Sequence, residues 1–199
     1  MNLIERVKNI LITPQTEWDV IDGETATAPG LFTSYVLPLS LVACVGGVLQ
    51  YFLFSAKNGI SPTFAIATAA IGIIASLVGY YITTFIVDML APSFGSEKNL
   101  GKSAQLVAYS NTPSAIARLL SFLPIIGSLL AFAAWGYSIY LMYLGVGTIK
   151  KTPEDKKVVY ILVAIVINIA VYLILAAILG AIIFATIGIG GMAASRSFF

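Results

Sequence analysis

Residues 105–147 read QLVAYSNTPSAIARLLSFLPIIGSLLAFAAWGYSIYLMYLGVG, an apolar stretch that contains scattered polar residues, two prolines and one arginine. Long apolar runs of this kind predict an all-α, polytopic membrane protein. Polar side chains are costly in hydrocarbon, so within a membrane they face protein or water and are the first candidates for function. The stretch itself indicates no particular reaction.

Composition supports the membrane class and excludes several kinds of site. The chain has 199 residues, of which 59% are hydrophobic and only 10% charged, against about 25% charged in soluble domains. A net charge of +2 gives no reason to expect a nucleic-acid partner. The sequence has no histidine and a single cysteine, Cys44, which excludes histidine-dependent catalysis, histidine zinc sites and an intrachain disulfide. We therefore expect a protein that is not an enzyme and has no metal or cofactor.

The first 24 residues are predicted to form an interfacial segment ahead of the membrane helices. Met1–Ile12 has the apolar spacing of a short amphipathic helix that lies in the headgroup layer. Its apolar positions are Leu3, Ile4, Val7, Ile10 and Leu11, and its polar positions are Glu5, Arg6, Lys8 and Asn9. Trp18, just before the first long apolar run, is predicted to be a headgroup-level membrane anchor. The segment is too short and too polar for a secretory signal peptide, so we expect the first run to remain as a span.

Five transmembrane helices are predicted after this segment, in a single bundle with no domain boundary over residues 1–199. Their approximate ranges are 31–55, 63–90, 104–123, 125–149 and 158–187. The third range is the weakest, because it contains most of the polar residues and one of the prolines quoted above. The Gly-rich residues from 188 onward are expected to form a tail.

The distribution of basic residues predicts a cytoplasmic N-terminus and an outside C-terminus. With five spans, the inner side holds Arg6, Lys8, Lys98, Lys102, Lys150, Lys151, Lys156 and Lys157. The outer side holds Lys57 and Arg196, and Arg118 lies near the outer end of the third span. Four spans would place the lysines of residues 150–157 opposite Lys98 and Lys102, so the positive-inside rule favours five.

Two charged residues, Asp88 and Arg118, fall within predicted spans, and depth separates them. Arg118 is 16 residues beyond Lys102, roughly 24 Å along a straight helix at ~1.5 Å per residue. A contact of Asp88 with Lys102 or Tyr109 is therefore favoured, and pairing with Arg118 requires a broken third span. Asp88 is either a structural acid or a proton- or cation-responsive carboxylate. Arg118 either reaches outward to headgroups or binds an anionic lipid or substrate.

The residues Tyr109-Ser110-Asn111-Thr112-Pro113 lie close to the middle of the third span. Pro113 has no backbone donor, disfavours helical geometry at Thr112 and frees the carbonyl near Tyr109. Ser110, Asn111 and Thr112 have side chains that can satisfy this backbone. The segment predicts either a kinked helix packed against its neighbours or an unwound stretch lining a site, as in transporters with discontinuous helices.

Small residues recur at helix-packing spacing in two of the predicted spans. They are Gly72, Ala75 and Gly79 in the second span, and Ala176 and Gly180 in the fifth. Small side chains let helix backbones approach closely, so we expect packing within the bundle, with a homo-oligomer face as the alternative.

Several short motifs, taken together in this order, resemble the compact prokaryotic-type form of the Yip1 domain family. They are Leu11-Ile12-x-Pro14-x3-Trp18-x2-Ile21-x2-Glu24, Tyr35-x2-Pro38, Ala108-Tyr109-Ser110-Asn111-Thr112-Pro113, Leu123-Pro124-x2-Gly127, Tyr137-x2-Tyr140-x2-Tyr143-x-Gly145 and Lys151-x-Pro153-x-Asp155-Lys156. The resemblance implies five spans with a cytosolic N-terminus, in a prokaryotic inner membrane. Eukaryotic relatives bind Rab-type GTPases in vesicle traffic. Because this sequence lacks their Asp-Leu-Tyr-Gly-Pro type motif, small-GTPase binding is not expected to carry over.

The leading functional hypothesis is a non-enzymatic membrane protein that acts by interaction, as a scaffold or membrane organiser. Its expected partners are the lipid bilayer and other membrane proteins or further copies of the chain. The alternative is a small solute or ion transporter or channel that uses the polar residues of the second and third spans.

Overall fold

The computed structural model describes residues 2–59 and 62–196, and the side-chain surroundings as far as residue 177 except at positions 55, 56, 64, 65, 67 and 68. The regular elements of these described residues are all helical. Two short helices come first, α1 (Leu3–Ile12) and α2 (Pro14–Asp22). The Asn2 side chain caps α1 by accepting the Glu5 backbone N–H at 2.9 Å. Pro14 occupies the first position of α2, where the backbone N–H has no partner within the helix, so the proline costs no hydrogen bond. Helix α2 can therefore begin only two residues after α1 ends.

The first long helical stretch is assembled from several consecutive pieces. Helix α3 (Ala28–Leu31) continues through a π-helical turn, Phe32–Val36, into α4 (Leu37–Gln50), and a second π-helical turn, Tyr51–Ser55, follows. The first wide turn lies just before Pro38, which cannot donate a backbone hydrogen bond. The stretch therefore stays helical through a proline.

Three further long helices complete the scaffold. They are α5 (Pro62–Leu90), α8 (Pro124–Lys150) and α9 (Glu154–Arg196). Within the described residues, four helical stretches are long and apolar enough to cross a membrane: Ala28–Phe54, Ala69–Phe94, Pro124–Lys150 and Glu154–Ala177. Helix α9 continues to Arg196, so the Gly-rich tail predicted from residue 188 is helical as far as that residue.

The predicted third span is divided into two short helices. Helix α6 (Leu100–Ser110) has 11 residues and α7 (Thr112–Leu119) has 8, whereas one helix needs about 20 to cross the hydrocarbon core. Neither reaches that length alone, which is why only four of the five predicted spans appear as long continuous helical stretches.

Large fully buried side chains are concentrated at the end of the bundle that carries α1 and α2. Helix α2 packs against α8, and α6 packs against α5 and α8, whereas α7 packs against α4 and α8. The largest fully buried side chains include Trp18, Leu106, Leu141 and Tyr160, at or near this end. Only 17–28% of the residues in the most apolar window of each long helix are buried. The remaining apolar surface suits a lipid environment.

Candidate functional site

The third helical region breaks at Asn111, and side chains repair its backbone. Pro113 cannot donate to the carbonyl of Tyr109, and the Thr112 hydroxyl donates to that carbonyl instead, at 2.7 Å. The Thr112 oxygen also lies 2.8 Å from the hydroxyl of Tyr35 in the first π-helical turn. The helix therefore breaks next to Pro113, as predicted, and the Thr112 hydroxyl satisfies the backbone carbonyl that the proline leaves free. The same hydroxyl ties the break to the first long helical stretch.

Tyr109 is the centre of a buried group of rings next to this break. Its ring lies edge-on to Tyr35 with centroids 4.8 Å apart, and edge-on to Trp18 at 6.3 Å. The Arg6 guanidinium lies over its face, 5.2 Å from the centroid. Through these contacts the N-terminal helices pack directly on the kinked region.

The docking of α1 depends on a buried ionic cluster, which corrects the sequence prediction for Arg6. One guanidinium nitrogen lies 2.5 Å from the Glu17 carboxylate and another contacts Glu24. Arg6 is buried against the bundle, whereas helical spacing predicted that it lies on the polar, outward face. Two acidic partners and the Tyr109 ring explain the difference, because a buried charge is tolerated when it is paired and hydrogen-bonded.

Trp18 is a core residue, so its prediction as a headgroup-level membrane anchor is wrong. Its side chain is fully buried. A Cβ atom at Gly145 would lie 2.7 Å from the indole, so α8 approaches the ring closely because that position is glycine. The tryptophan thus fixes α2 to α8.

Asp88 lies in a second buried polar cluster, at the end of α5. Its carboxylate accepts a hydrogen bond from the Ser103 hydroxyl at 3.0 Å and lies 3.4 Å from the Lys150 ammonium. Lys150 also donates to Ser103 at 2.8 Å. The predicted contact with Lys102 or Tyr109 is wrong, because the last turn of α8 brings Lys150 to this position and Lys102 pairs elsewhere.

Lys102 takes part in a surface cluster that links α2 to the loop between α8 and α9. Its ammonium lies 3.3 Å from Asp22, whose other carboxylate oxygen lies 2.6 Å from Lys151. The hydrogen bond from Lys151, together with Lys102, lowers the pKa of Asp22 below its usual value against a smaller opposing effect of burial. Two ion pairs of Asp22, together with the contact between the Arg6 guanidinium and the Tyr109 ring, therefore hold residues 1–24 against the helices.

Two adjoining cavities flank Asn111 on the other side of the break. The first, of about 300 Å³, lies between α4, α5 and α7 and is lined by Gly72, Asn111 and Arg118 among others. The second, of about 320 Å³, lies between α6, α8 and α9 and includes Ser110 and Trp135 in its wall. Thr83, Val107, Asn111 and Tyr172 line both cavities. Both cavities lie at the point where the chain passes from α6, which packs on α5 and α8, to α7, which packs on α4 and α8.

The sequence-predicted polar residues therefore fall into three places. Asp88 lies in the cluster with Lys150, and Tyr109 and Thr112 lie at the N-terminal docking surface and the break. Ser110, Asn111 and Arg118 line the cavities, and Pro113 is buried within the break. Arg118 is exposed and has no ion-pair partner among the described side chains, so the structure does not pair it with Asp88.

Comparison with known families gives the class of this chain. The model of the Yip1 domain family matches residues 8–194, nearly the whole length. The chain belongs to the Yip1 domain family. No curated protein and no solved structure matches it significantly. Together with its four long apolar helices, this membership establishes a multi-pass membrane protein of the Yip1 family.

The small residues singled out from the Yip1-family sequence behave differently from one another. Gly79 is buried, and a Cβ atom there would lie 2.5 Å from the Tyr172 hydroxyl, as expected for close packing. A Cβ atom at Gly72 would meet nothing within 4 Å, and Ala75 and Ala176 are exposed. Packing within the chain is therefore a wrong prediction for these three. Gly180 lies outside the residues whose side-chain surroundings are described.

The described part of this Yip1-family chain contains no group of three or more histidine, cysteine, aspartate or glutamate residues arranged to hold a metal. Glu17 and Glu24 are both bound to Arg6. Sequence reasoning did not identify Lys150, Ser103 or Glu17 as site residues. A usable signal for Lys150 was its position directly after the long apolar run of α8, where a lysine can turn back into the bundle.

Proposed function

We propose that this Yip1-family protein is a non-enzymatic scaffold that organises the membrane or its partner proteins through the surface formed by α1 and α2. One observation carries the proposal: the two helices are fixed to the bundle through Trp18 and the ion pairs of Asp22, yet Ile4 and Ile12 are 77% and 67% exposed. A surface that is both rigidly held and apolar suits contact with the headgroup layer or with another membrane protein.

The interfacial position of α1 forms part of this proposal. Arg6 and Ile10 are buried against the bundle, while the exposed apolar residues lie on another side of the helix. Because Ile4, Lys8 and Ile12 are spaced four residues apart, they share the outward face of the helix, and the lysine can extend its charge toward the headgroups from between the two isoleucines. Such a segment lies along the membrane surface and covers the ends of the spans.

We further propose five spans, with α6 and α7 together forming the third. Residues 100–119 are 20 in number, about 30 Å long at ~1.5 Å per residue, which matches the hydrocarbon core. The positive-inside count supports a cytoplasmic N-terminus and an outside C-terminus, and the family resemblance supports a prokaryotic inner membrane.

The proposed scaffold role is tested by removing the exposed apolar side chains of α1 without changing the residues that hold α1 and α2 against the bundle. The Ile4→Ser/Ile12→Ser double variant is compared with Gln15→Ser, which changes an exposed polar residue of the same segment. We expect the double variant to lose the proteins or copies that copurify from native membranes, or to lose its effect on vesicle shape, while Gln15→Ser retains both. Equal behaviour of all three proteins would contradict the proposal.

A second candidate, a small solute or ion transporter, is favoured by the two cavities that adjoin at Asn111. Unwound or broken helices with polar side chains at membrane depth are the usual walls of transporter sites. Flux of solutes, ions or protons into liposomes containing the purified protein, abolished by Asn111→Leu, would support this candidate over the scaffold. Liposomes that show no flux would remove it.

A further inference from the structure

We infer that the two cavities at Asn111 together bind one anionic phospholipid, with its phosphate at Arg118 and the first part of one acyl chain in the second cavity. This inference does not depend on the proposed scaffold role, because it concerns the opposite side of the helix break from the surface formed by α1 and α2.

Arg118 calls for an anionic partner. The exposed Arg118 lines the first cavity, and no acidic residue is found among the residues that form this wall. Arginine presents several donors in a planar fork, which matches the oxygens of a phosphate group. A cation held beside apolar helices is stabilised by such a counter-ion, and within the described chain none is supplied by the protein.

The other polar groups around the first cavity can complete a phosphate site. The Asn111 amide and the Tyr172 hydroxyl both line this space and make no side-chain hydrogen bond to the described residues. In contrast, the Ser40 and Ser76 hydroxyls donate to backbone carbonyls of their own helices at 2.8 Å. Asn111 and Tyr172 therefore offer two available hydrogen-bond donors in the cavity that Arg118 also lines.

The second cavity combines apolar wall with polar side chains, several of which bond to one another. The Thr83 hydroxyl donates to Asn168 at 2.8 Å, and the Ser114 and Ser138 hydroxyls lie 3.0 Å apart. Trp135, Ile139, Met142 and Ile169 contribute apolar wall. Ser110 also lines it, and its hydroxyl oxygen is buried without a hydrogen-bond partner in the described structure. An ester carbonyl at the top of an acyl chain would accept a hydrogen bond from this hydroxyl, which removes the cost of leaving it unpaired.

Access and size favour a lipid over a larger solute. Gly72 and Ala75 on one side, and Trp135 and Ile169 on the other, are exposed at the apolar surface of the bundle, so both cavities open sideways. Their volumes of about 300 and 320 Å³ are at the low end for ligand pockets, ~300–1,000 Å³. They accommodate a headgroup and the start of one chain while the rest of the lipid stays in the bilayer.

The test is a lipid titration of the detergent-purified, delipidated full chain, read by native mass spectrometry. The probes are phosphatidylglycerol, phosphatidylcholine of the same chain length, and inorganic phosphate as a competitor. We expect one phosphatidylglycerol to bind with about tenfold or greater preference over phosphatidylcholine, since the charge-assisted contact to Arg118 is the selective one. Equal binding of the two lipids would overturn the inference. Displacement by millimolar inorganic phosphate would also overturn it, by showing a site for a soluble anion.

Matched variants locate the site. Arg118→Gln should weaken phosphatidylglycerol binding about tenfold or more, whereas Arg118→Lys should weaken it less, because lysine keeps the charge and loses only the planar fork. Lys57→Gln removes a positive charge from an exposed turn that lines neither cavity, and it should bind like the unmodified chain. Ser110→Ala should weaken both lipids alike, because it contacts the ester group. Unchanged binding by Arg118→Gln, or an equal loss in Lys57→Gln, would contradict the assignment.

Discussion

The Lys150 ammonium lies 3.4 Å from the Asp88 carboxylate, and the lysine side chain is completely buried. Ser103 lies between α5 and α8 and hydrogen-bonds to both charged groups. The loop after α5 is held at the same place, because the Glu97 backbone N–H donates to the Lys150 carbonyl at 3.0 Å. One small cluster thus joins the ends of three helices.

Asp88→Asn should lower the free energy of unfolding by about 3 kcal/mol, because it leaves Lys150 buried without its counter-ion. The matched control is Glu154→Gln, which removes the 79%-exposed partner of Lys157 and should cost less than about 1 kcal/mol. Denaturant titration in mixed micelles measures both. Equal destabilisation by the two variants would show that the buried Asp88–Lys150 pair contributes no more to stability than the exposed pair of Glu154 with Lys157.

Thr112→Val should destabilise the protein by about 1–3 kcal/mol, because the carbonyl of Tyr109 and the hydroxyl of Tyr35 both lose a buried partner. Thr112→Ser keeps the oxygen and should be close to neutral. Thr148→Val is the control, since the Thr148 hydroxyl binds a carbonyl within a regular part of α8. The same unfolding measurement applies. Comparable losses for Thr112→Val and Thr148→Val would argue against a special role of the hydroxyl at the break.

Gly145→Ala should destabilise by about 1–3 kcal/mol through overpacking, because its Cβ atom would clash with Trp18 and Leu106 in the core. Gly136→Ala lies in the same helix, where an added Cβ meets nothing within 4 Å. That change should be neutral or stabilising by up to about 1 kcal/mol, because alanine favours helix more than glycine does. If both variants behaved alike, Trp18 would not be packed on α8 as described.

The stability that Asp22 contributes should depend on pH in the acid range. Lys151 and Lys102 lower its pKa in the folded protein, so its contribution is fully present above its ordinary pKa of about 4 and is lost as the pH falls through the lowered value. The difference in melting temperature between the unmodified protein and Asp22→Asn should therefore narrow between about pH 5 and pH 2. Asp19→Asn, an exposed change in the same helix, should show no such trend. A constant difference for Asp22→Asn would contradict the ion-pair assignment.

The helical class and most helix positions were predictable from the sequence, because long apolar runs have few alternatives to membrane helices. The predicted range 63–90 and α5 (Pro62–Leu90) differ by one residue at the start, and the fourth range likewise matches α8 (Pro124–Lys150) closely. Pro113 also predicted the place of the break to within two residues.

Side-chain direction was not predictable in the N-terminal segment. Helical periodicity places Arg6 outward, because it contains no information about Glu17 and Glu24 as partners. It leaves Trp18 as an anchor, because it does not show that Gly145 makes room for the indole ring. Similarly, Asp88 was assigned to the wrong lysine, since depth alone cannot distinguish Lys102 from Lys150. Tertiary partners decide such cases, and no local pattern encodes them.

The central claim is that the broken helix pair α6–α7 crosses the membrane as one span. Cysteine accessibility on the two sides of this pair tests it most directly. Single cysteines are placed at Lys98→Cys and Ser121→Cys in a Cys44→Ser background, and each is reacted with a membrane-impermeant maleimide in intact cells and in inverted vesicles. The account predicts that the two positions react from opposite sides of the membrane. Reaction of both from the same side would contradict it.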